Sequence, residues 1–391
     1  MTRTVAIDIG GTMIKHGIVD NLGCIVEASE LATEAYKGGP GILQKVCQII
    51  DNYLAEGSID GIAISSAGMV DPDEGCIFYS GPQIPNYAGT QFKKVLEDTY
   101  QVRTEIENDV NCAGLAEAVS GSAKDSSIAL CLTIGTGIGG CLIIDKTVFH
   151  GFSNSACEVG YMHLSDGDFQ DLASTTALIA DVAKAHGDEI SRWDGRRIFQ
   201  EAKEGNEKCI ASIDRMINYL GQGIANMVYV VNPEKVVLGG GIMAQKYYLQ
   251  DKLSESLKRN LVTSLAEKTA IVFAQHENQA GMLGAYYHFK NRGHDGYMIE
   301  TMSLDDMREY LGQDQIPEDF DDFWKKQTME YQGNIEYRLD KKDFNITFAQ
   351  AYDLHFKGSN DSIVYAKCLF PKTNKPYPVV FLFSWLPKPK S

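Results

Sequence analysis

The sequence contains no apolar run of eighteen residues, and its start, Met1-Thr2-Arg3-Thr4, enters a strand-like segment without an apolar signal core. A membrane partner is therefore not expected, and the cytoplasm is the expected location. Basic residues are few: 36 Lys and Arg stand against 52 Asp and Glu, for a net charge of −16. That balance argues against nucleic acid or an anionic membrane, since both need clustered cations to replace counterions. Nine cysteines are present, but no two form a Cys-x-x-Cys pair. Scattered mostly through apolar runs, they read as reduced core residues rather than disulfides or metal ligands.

What the chain does have is glycine at strand ends. Asp8-Ile9-Gly10-Gly11-Thr12 and Ile134-Gly135-Thr136-Gly137-Ile138-Gly139-Gly140 each follow a β-branched apolar run. Glycine lets the backbone take positive φ and approach an anion closely, while unpaired N–H groups supply donors, so such turns suit phosphate. One turn alone reads as an ordinary tight β-turn. A third cluster, Gly239-Gly240-Gly241, follows Val236-Val237-Leu238, and the three together point to a nucleotide held between two similar halves. Lys15 lacks P-loop spacing and falls inside a strand, so it is not assigned to phosphate.

Periodicity supports the duplication. Strands are expected at Val5–Ile9, Ile14–Asp20, Cys24–Leu31 and Ile59–Ser65, with a helix over Gly41–Leu54, where Ile42, Val46, Ile49, Ile50 and Tyr53 repeat at helical spacing. In the second half, strands are expected at Ser127–Thr133, Gly139–Ile144, Val236–Leu238 and Ala270–Ala274. Helices there are expected near Ser174–His186, Arg196–Lys203, Glu207–Val231, Gln245–Asn260 and Gln279–Lys290, with Asn232-Pro233 stopping the third. The expected fold is a duplicated α/β architecture with lobes at 1–115 and 116–292. The character changes near residue 293. An acidic, amphipathic stretch over Met298–Gln332 then precedes strand-like Ile346–Phe356, Ser362–Phe370 and Val379–Phe383.

Between the first two turns, Glu107-Asn108-Asp109-Val110-Asn111 opens a helix directly after the strand Thr104–Ile106. Asn108 reads as an N-cap, and Asp109 complements the helix dipole. Capping and catalysis are compatible, because a helix N-terminus favours the ionised carboxylate that a general base requires. Asp109 is assigned as that base.

These residues, with Ser65-Ser66-Ala67-Gly68-Met69-Val70-Asp71, Cys157-Glu158-Val159-Gly160 and Leu238-Gly239-Gly240-Gly241, resemble the ROK family of bacterial sugar kinases and repressors over roughly residues 4 to 291. The resemblance implies a ribonuclease-H-like, actin-like ATPase fold whose two lobes hold ATP·Mg²⁺ and a hexose. It implies phosphate contacts from Gly10, Gly11 and Thr12, with Asp8 orienting the magnesium shell. Gly135, Thr136 and Gly137 would hold the second phosphate region, and Gly239, Gly240 and Gly241 would pass the adenosine. Gly68, Asn86, Asn108, Asp109 and Glu158 would meet the sugar, with Asp109 deprotonating its C6 hydroxyl. A homodimer is also implied.

The pattern breaks in two places. Tyr161 stands where the family carries histidine, and Leu164–Ser174 replaces a cysteine-rich zinc loop without any cysteine. No structural zinc is expected, and His163 beside Asp166 and Asp168 reads as a surface histidine. Gln170 replaces a family glutamate near C1 and C2 of the sugar, so an acceptor-only carboxylate has become an amide. Tyr161 and Gln170 therefore carry the question of substrate identity.

Beyond residue 293, Ile316-Pro317-Glu318-Asp319-Phe320-Asp321-Asp322-Phe323-Trp324 and Tyr377–Phe383 resemble the amino-terminal part of acetyl xylan esterase-type α/β-hydrolases. The segment reads as a truncated hydrolase-like piece, ending before a nucleophile elbow, and hydrolysis by it is not expected. Kinase and deacetylase together would suit acetylated amino sugars, which makes N-acetylmannosamine the first expected substrate, ahead of glucose or a β-glucoside. A repressor would need a helix-turn-helix ahead of Asp8, where the sequence shows seven residues. A non-catalytic sugar-binding protein is the remaining alternative.

Overall fold

In a computed structural model, the structure describes residues 3–82, 84–292, 320, 322, 324–325, 336–342, 349–357 and 363–372. The chain divides into two compact units, Met1–Ile299 and Glu300–Ser391.

The first unit opens with strands β1 (Thr4–Ile9), β2 (Met13–Val19) and β3 (Ile25–Ala32), helix α1 (Gly38–Glu56) and strand β4 (Gly61–Ser66). A hairpin of β5 (Met69–Asp71) and β6 (Cys76–Tyr79), helix α2 (Phe92–Tyr100), strand β7 (Thr104–Asn108) and helix α3 (Asp109–Ser120) follow. The sheet order is β3-β2-β1-β4-β7, with β1 antiparallel to β2 and parallel to β4. Its two faces differ in kind. Val5, Ile7 and Ile9 of β1 point to one core with Ile42, Val46 and Ile50 of α1. By the period-two alternation of a strand, Ala6 and Asp8 point to the other.

The second half repeats this plan. It comprises β8 (Ile128–Ile134), β9 (Ile138–Ile144), β10 (Thr147–Val148), the small ribbon β11 (His163–Leu164) and β12 (Gly167–Asp168), and helices α4 (Phe169–Ala173), α5 (Thr175–His186), α6 (Gly195–Lys203) and α7 (Glu207–Val231). Strand β13 (Lys235–Gly239), helices α8 (Lys246–Asn260) and α9 (Thr263–Ala266), strand β14 (Ala270–Phe273) and helix α10 (Ala280–Arg292) complete it. The sheet order β10-β9-β8-β13-β14 matches the first sheet position for position, including which pairs are antiparallel and which parallel. The β1–β2 and β8–β9 turns are therefore equivalent, and both are the glycine turns. The expected duplicated ribonuclease-H-like fold is what the structure shows.

The two helices at the junction are exchanged. From the first half, α3 packs Leu115 and Ala118 against Ala129, Cys131, Cys141 and Ile143 of the second sheet. From the second half, α10 packs Met282 and Tyr286 on Ala6 and Val19, and Ala285 and Phe289 on Ala63, in the first sheet. Small residues let the helices touch: a Cβ at Gly284 would meet the Cys112 carbonyl, and one at Gly114 would meet the Cys141 sulfur.

Most expected elements appear with ends shifted by one to three residues. The β5–β6 hairpin, β10, the β11–β12 ribbon, α4 and α9 lie outside the expected elements, because each is short and carries little periodicity; α2 does too, although Phe92, Leu96 and Tyr100 recur at helical spacing. Cysteine burial differs from expectation as well. Cys112, Cys131, Cys141 and Cys209 are buried, but Cys24 is exposed and Cys47, Cys76, Cys157 and Cys368 lie between.

In the second unit, β15 (Tyr337–Lys342), β16 (Ala349–Lys357) and β17 (Ile363–Pro371) form an antiparallel meander. Strand β15 was not expected, while β16 and β17 fall within or beside the anticipated Ile346–Phe356 and Ser362–Phe370. The expected strand Val379–Phe383 and Trp385 lie outside the described residues.

The helix crossing yields a prediction. Gly284→Ala should destabilise the first unit by about 2 kcal/mol or more, because the added methyl meets backbone rather than a movable side chain. A denaturant midpoint equal to that of the parent would contradict it.

Candidate active site

Parallel and antiparallel register place four polar residues in one row across the first sheet: Lys15 opposite Asp8, Asp8 beside Ser65, and Ser65 beside Glu107. All lie on the face that α10 covers. Ser65 Oγ donates to Asp8 Oδ1 at 2.7 Å, and the Cα of Gly281 on α10 backs directly onto the Asp8 carboxylate. Burial raises the Asp8 pKa, and the Ser65 hydrogen bond and Lys15 charge offset this only in part.

One strand pair along, the end of β7 turns into α3. Asn108 caps that helix, its Oδ1 accepting from Val110 N at 2.9 Å and Asn111 N at 3.1 Å. Its Nδ2 donates to the Gly68 carbonyl at 2.9 Å and to Asp109 Oδ1 at 3.0 Å. Gly68 adopts φ +91°, the left-handed region that glycine tolerates, which turns its carbonyl onto Asn108. Val110 N also donates to Asp109 Oδ1, at 2.9 Å. Burial, and then the charge of Asp8, push the Asp109 pKa up to about 7, against the lowering effect of these donors. Two carboxylates raised by burial, Asp109 further by the charge of Asp8, form a site that a divalent cation would relieve. Asp8 is thus suited to the magnesium-associated role expected of it.

The glycine turns frame this pair. Gly10 N donates to Met13 O at 3.0 Å, and a Cβ at Gly11 would meet nothing within 4 Å. Thr12 is exposed. In the equivalent turn Gly135 N donates to Gly137 O at 3.0 Å, Thr136 is exposed, and a Cβ at Gly135 would again meet nothing within 4 Å. The Gly135 carbonyl accepts from Thr175 N at 2.8 Å, tying this turn to the start of α5, which Ser174 caps. Gly240, at φ +92°, lies against the Ile134 backbone, so the third cluster abuts the second turn; Gly239 ends β13, and a Cβ at Gly241 would meet nothing within 4 Å.

The expected sugar contacts are less uniform. Asn86 is exposed at φ 51°, and Glu158 is exposed at the start of the short turn Val159–Tyr161. Tyr161 is 55% exposed. Gln170 is half-buried with Oε1 aimed between the backbones of Gly137 and Gly160, where a Cβ on either would come within 3.0 Å of it. Its amide therefore packs into the second glycine turn. His163 Nδ1 pairs with Asp168 Oδ1 at 2.5 Å, and Asp166 accepts from Tyr219 at 2.7 Å, so these acids have separate partners. Elsewhere, His186, Glu201 and Cys209 place possible ligand atoms within 4.8 Å of one another. There the Asn206 amide, capping α7, already bridges His186 Nε2 at 3.3 Å and Glu201 Oε2 at 2.7 Å.

Ser65 and Glu107 stand within the quoted motifs without an assigned part, and Gly281 stands outside them. Glu107 was visible beside Asn108, but Ser65 and Gly281 reach Asp8 only through sheet register and helix packing.

Known proteins resemble both parts of the chain. Residues 4–292 match the ROK family, and the chain belongs to it; residues 298–386 match the acetyl xylan esterase family AXE1. A protein of Clostridium perfringens is 48% identical over 284 residues, covering 73% of this chain and 96% of that one. The beta-glucoside kinase of Listeria innocua is 31% identical over 296 residues, covering 73% of this chain and 97% of its own. Among solved structures, a ROK family protein from Streptococcus pneumoniae in complex with sucrose superposes with a TM-score of 0.66 at 29% identity, covering 74% of this chain and 99% of that one.

The raised Asp109 pKa has a consequence for stability. The folded state holds this proton more tightly than the unfolded chain, so the group costs stability progressively as pH rises from about 4 through about 7. Asp109→Asn keeps the Oδ1 acceptor and removes the charge. It should raise Tm by roughly 2–4 °C at pH 8 and leave it nearly unchanged at pH 4. An equal shift at both pH values would contradict this account.

Proposed function

We propose that the first unit is an ATP-dependent kinase that phosphorylates the C6 hydroxyl of a hexose unit. The observation that carries this reading is Asp109, held at the head of α3 by Asn108 and Val110 and tuned to about 7. A base with that pKa is about half ionised at neutral pH and basic enough to assist loss of a hydroxyl proton. In the proposed step the sugar O6 attacks the γ-phosphorus and its proton passes to Asp109. The O6–P bond forms as the bond from the γ-phosphorus to the bridging oxygen breaks, and ADP leaves. Gly11, Thr12, Thr136 and Gly137 bind the phosphates through backbone N–H groups and the threonine hydroxyls, while Gly10 and Gly135, whose own N–H groups close the turns, let the phosphates approach; Gly239, Gly240 and Gly241 lie beside the nucleoside. Gly68, Asn86, Asn108 and Glu158 orient the sugar. Magnesium, held near Asp8, would neutralise the charge of the phosphates.

At the anomeric side we favour a glycoside. Gln170 is packed against the glycine turn, and Tyr161 is exposed, so neither supplies a carboxylate to a free C1 hydroxyl. The beta-glucoside kinase relative and the sucrose-bound neighbour support the same reading. N-acetylmannosamine is the second reading, favoured by the esterase-family match at residues 298–386, which would suit an acetylated substrate.

The test is ADP release on cellobiose, aryl β-glucosides, glucose, N-acetylglucosamine and N-acetylmannosamine. A β-glucoside should give the highest kcat/KM, and Asp109→Asn should lower kcat by about 10³-fold or more. Below pH 7, kcat/KM should fall about tenfold per unit as the base is protonated. Parent-like turnover by Asp109→Asn would overturn the base assignment, and N-acetylmannosamine as best substrate would replace the glycoside.

A further inference from the structure

Glu107 has no part in the chemistry above, yet it is wholly buried directly behind the base. Its Oε1 accepts from the Asn108 backbone N–H at 2.7 Å and from Asn111 Nδ2 at 3.0 Å. Its Oε2 accepts from His150 Nε2 at 2.5 Å and faces His288 Nδ1 at 3.4 Å. Three separate elements thus meet on one carboxylate: the β7–α3 junction, the segment after β10, and α10.

His150 is the member that comes from the opposite lobe. Its carbonyl accepts from Ala156 N at 3.1 Å, closing the loop that leads to Glu158. One residue therefore touches the support of the base and begins the loop that carries an expected sugar contact. His288 is 4% exposed, and its Nε2 has no hydrogen-bond partner among the described residues. Such a group is tolerated when the ring is neutral and its other nitrogen is engaged.

We propose that His150 is a positioning residue for phosphoryl transfer: by gripping Glu107 from the second lobe, it fixes the Asn108-Asp109 peptide and couples it to the Glu158 loop. The proposal rests on the kinase reading above. The charge pattern is consistent with a pair in which Glu107 is ionised and His150 protonated. Burial acts against the His150 charge, but the hydrogen bond and charge of Glu107 outweigh it and raise the pKa. Burial likewise acts against the Glu107 charge, and His150, His288 and Asn111 together hold its pKa below the usual value. Burial lowers the His288 pKa. The charged or titratable groups facing His150 are Glu107 on β7, His288 and Arg292 on α10, and Asp73 in the β5–β6 turn; Arg292 opposes its protonation and Asp73 favours it.

Because the His150 pKa is raised, its charge is present at low pH and lost as pH rises through the folded value. The wild type should therefore lose kcat on the alkaline side, separately from the acid limb set by Asp109. The test compares full-length wild type, His150→Gln and His150→Leu for Tm, for KM of ATP and sugar, and for kcat across pH 6–9. His150→Leu should lower kcat by about 10–100-fold with KM for ATP unchanged. His150→Gln, which keeps an N–H donor, should recover kcat to within about threefold at pH 7 while losing the alkaline limb. If His150→Leu fails to fold, the loss or retention of that limb in His150→Gln decides the question. An active wild type whose kcat and pH profile are shared by both variants would overturn the positioning role alone. Absence of transfer by the wild type to any hexose would overturn the kinase reading, and this inference with it.

Discussion

The close crossing of α3 and α10 is the constraint on which the rest depends. Gly284 on α10 leaves room for the Cys112 backbone on α3, and the Asp8, Glu107 and Asp109 carboxylates are each carried, backed or faced by one helix or the other. Asp109 is the first residue of α3. On α10, Gly281 backs Asp8, His288 faces Glu107 and Phe289 covers Gly61. Since α3 packs on the second sheet and α10 on the first, the crossing also joins the lobes. At its far end, the buried Glu117 carboxylate accepts from Gln275 N and His276 N at 2.7 and 2.8 Å, which ties α3 to the segment before α10.

This explains why the first sheet has two dissimilar faces. Toward α1 it presents Val5, Ile7, Ile9, Ile62 and Ile64, an ordinary aliphatic core. Toward α10 it presents Ala6 and Ala63, small enough for a helix to approach closely, and then the polar row Lys15, Asp8, Ser65 and Glu107. Close approach and polarity belong together here. A helix held away by large side chains would admit water and relax the carboxylates, whereas α10 removes water from Asp8 and so raises its pKa.

Much of this was legible before any coordinates. The glycine turns, the Asn108 cap and the repeated strand pattern are local features, each written in a few adjacent residues, and they pointed to the duplicated fold and to Asp109 at the head of a capped helix. The polar row was not legible in the same way. Lys15, Asp8, Ser65 and Glu107 are neighbours only through strand register, which alternation within each strand does not fix. The exchange of α3 and α10 was also hidden, because an amphipathic pattern shows that a helix has a buried face without naming the sheet beneath it. Gln170 shows the limit of reading a substitution alone. The loss of a carboxylate was evident in sequence, but the packing of its amide between Gly137 and Gly160 required the fold.

The two carboxylates at the centre of the cleft are individually unfavourable. Burial raises both pKa values, and the charge of Asp8 raises that of Asp109 further. A fold selected only for stability would replace one of them with an amide or an apolar residue. Their presence together fits a site whose ligand carries compensating charge. In the proposed reaction a cation accompanying the phosphates would neutralise Asp8, and burial would keep Asp109 basic near neutral pH. The two buried carboxylates thus carry an electrostatic cost that the proposed ligand would relieve, and the turns at Gly11 and Gly135, open among the described residues, are where that ligand would reach the protein.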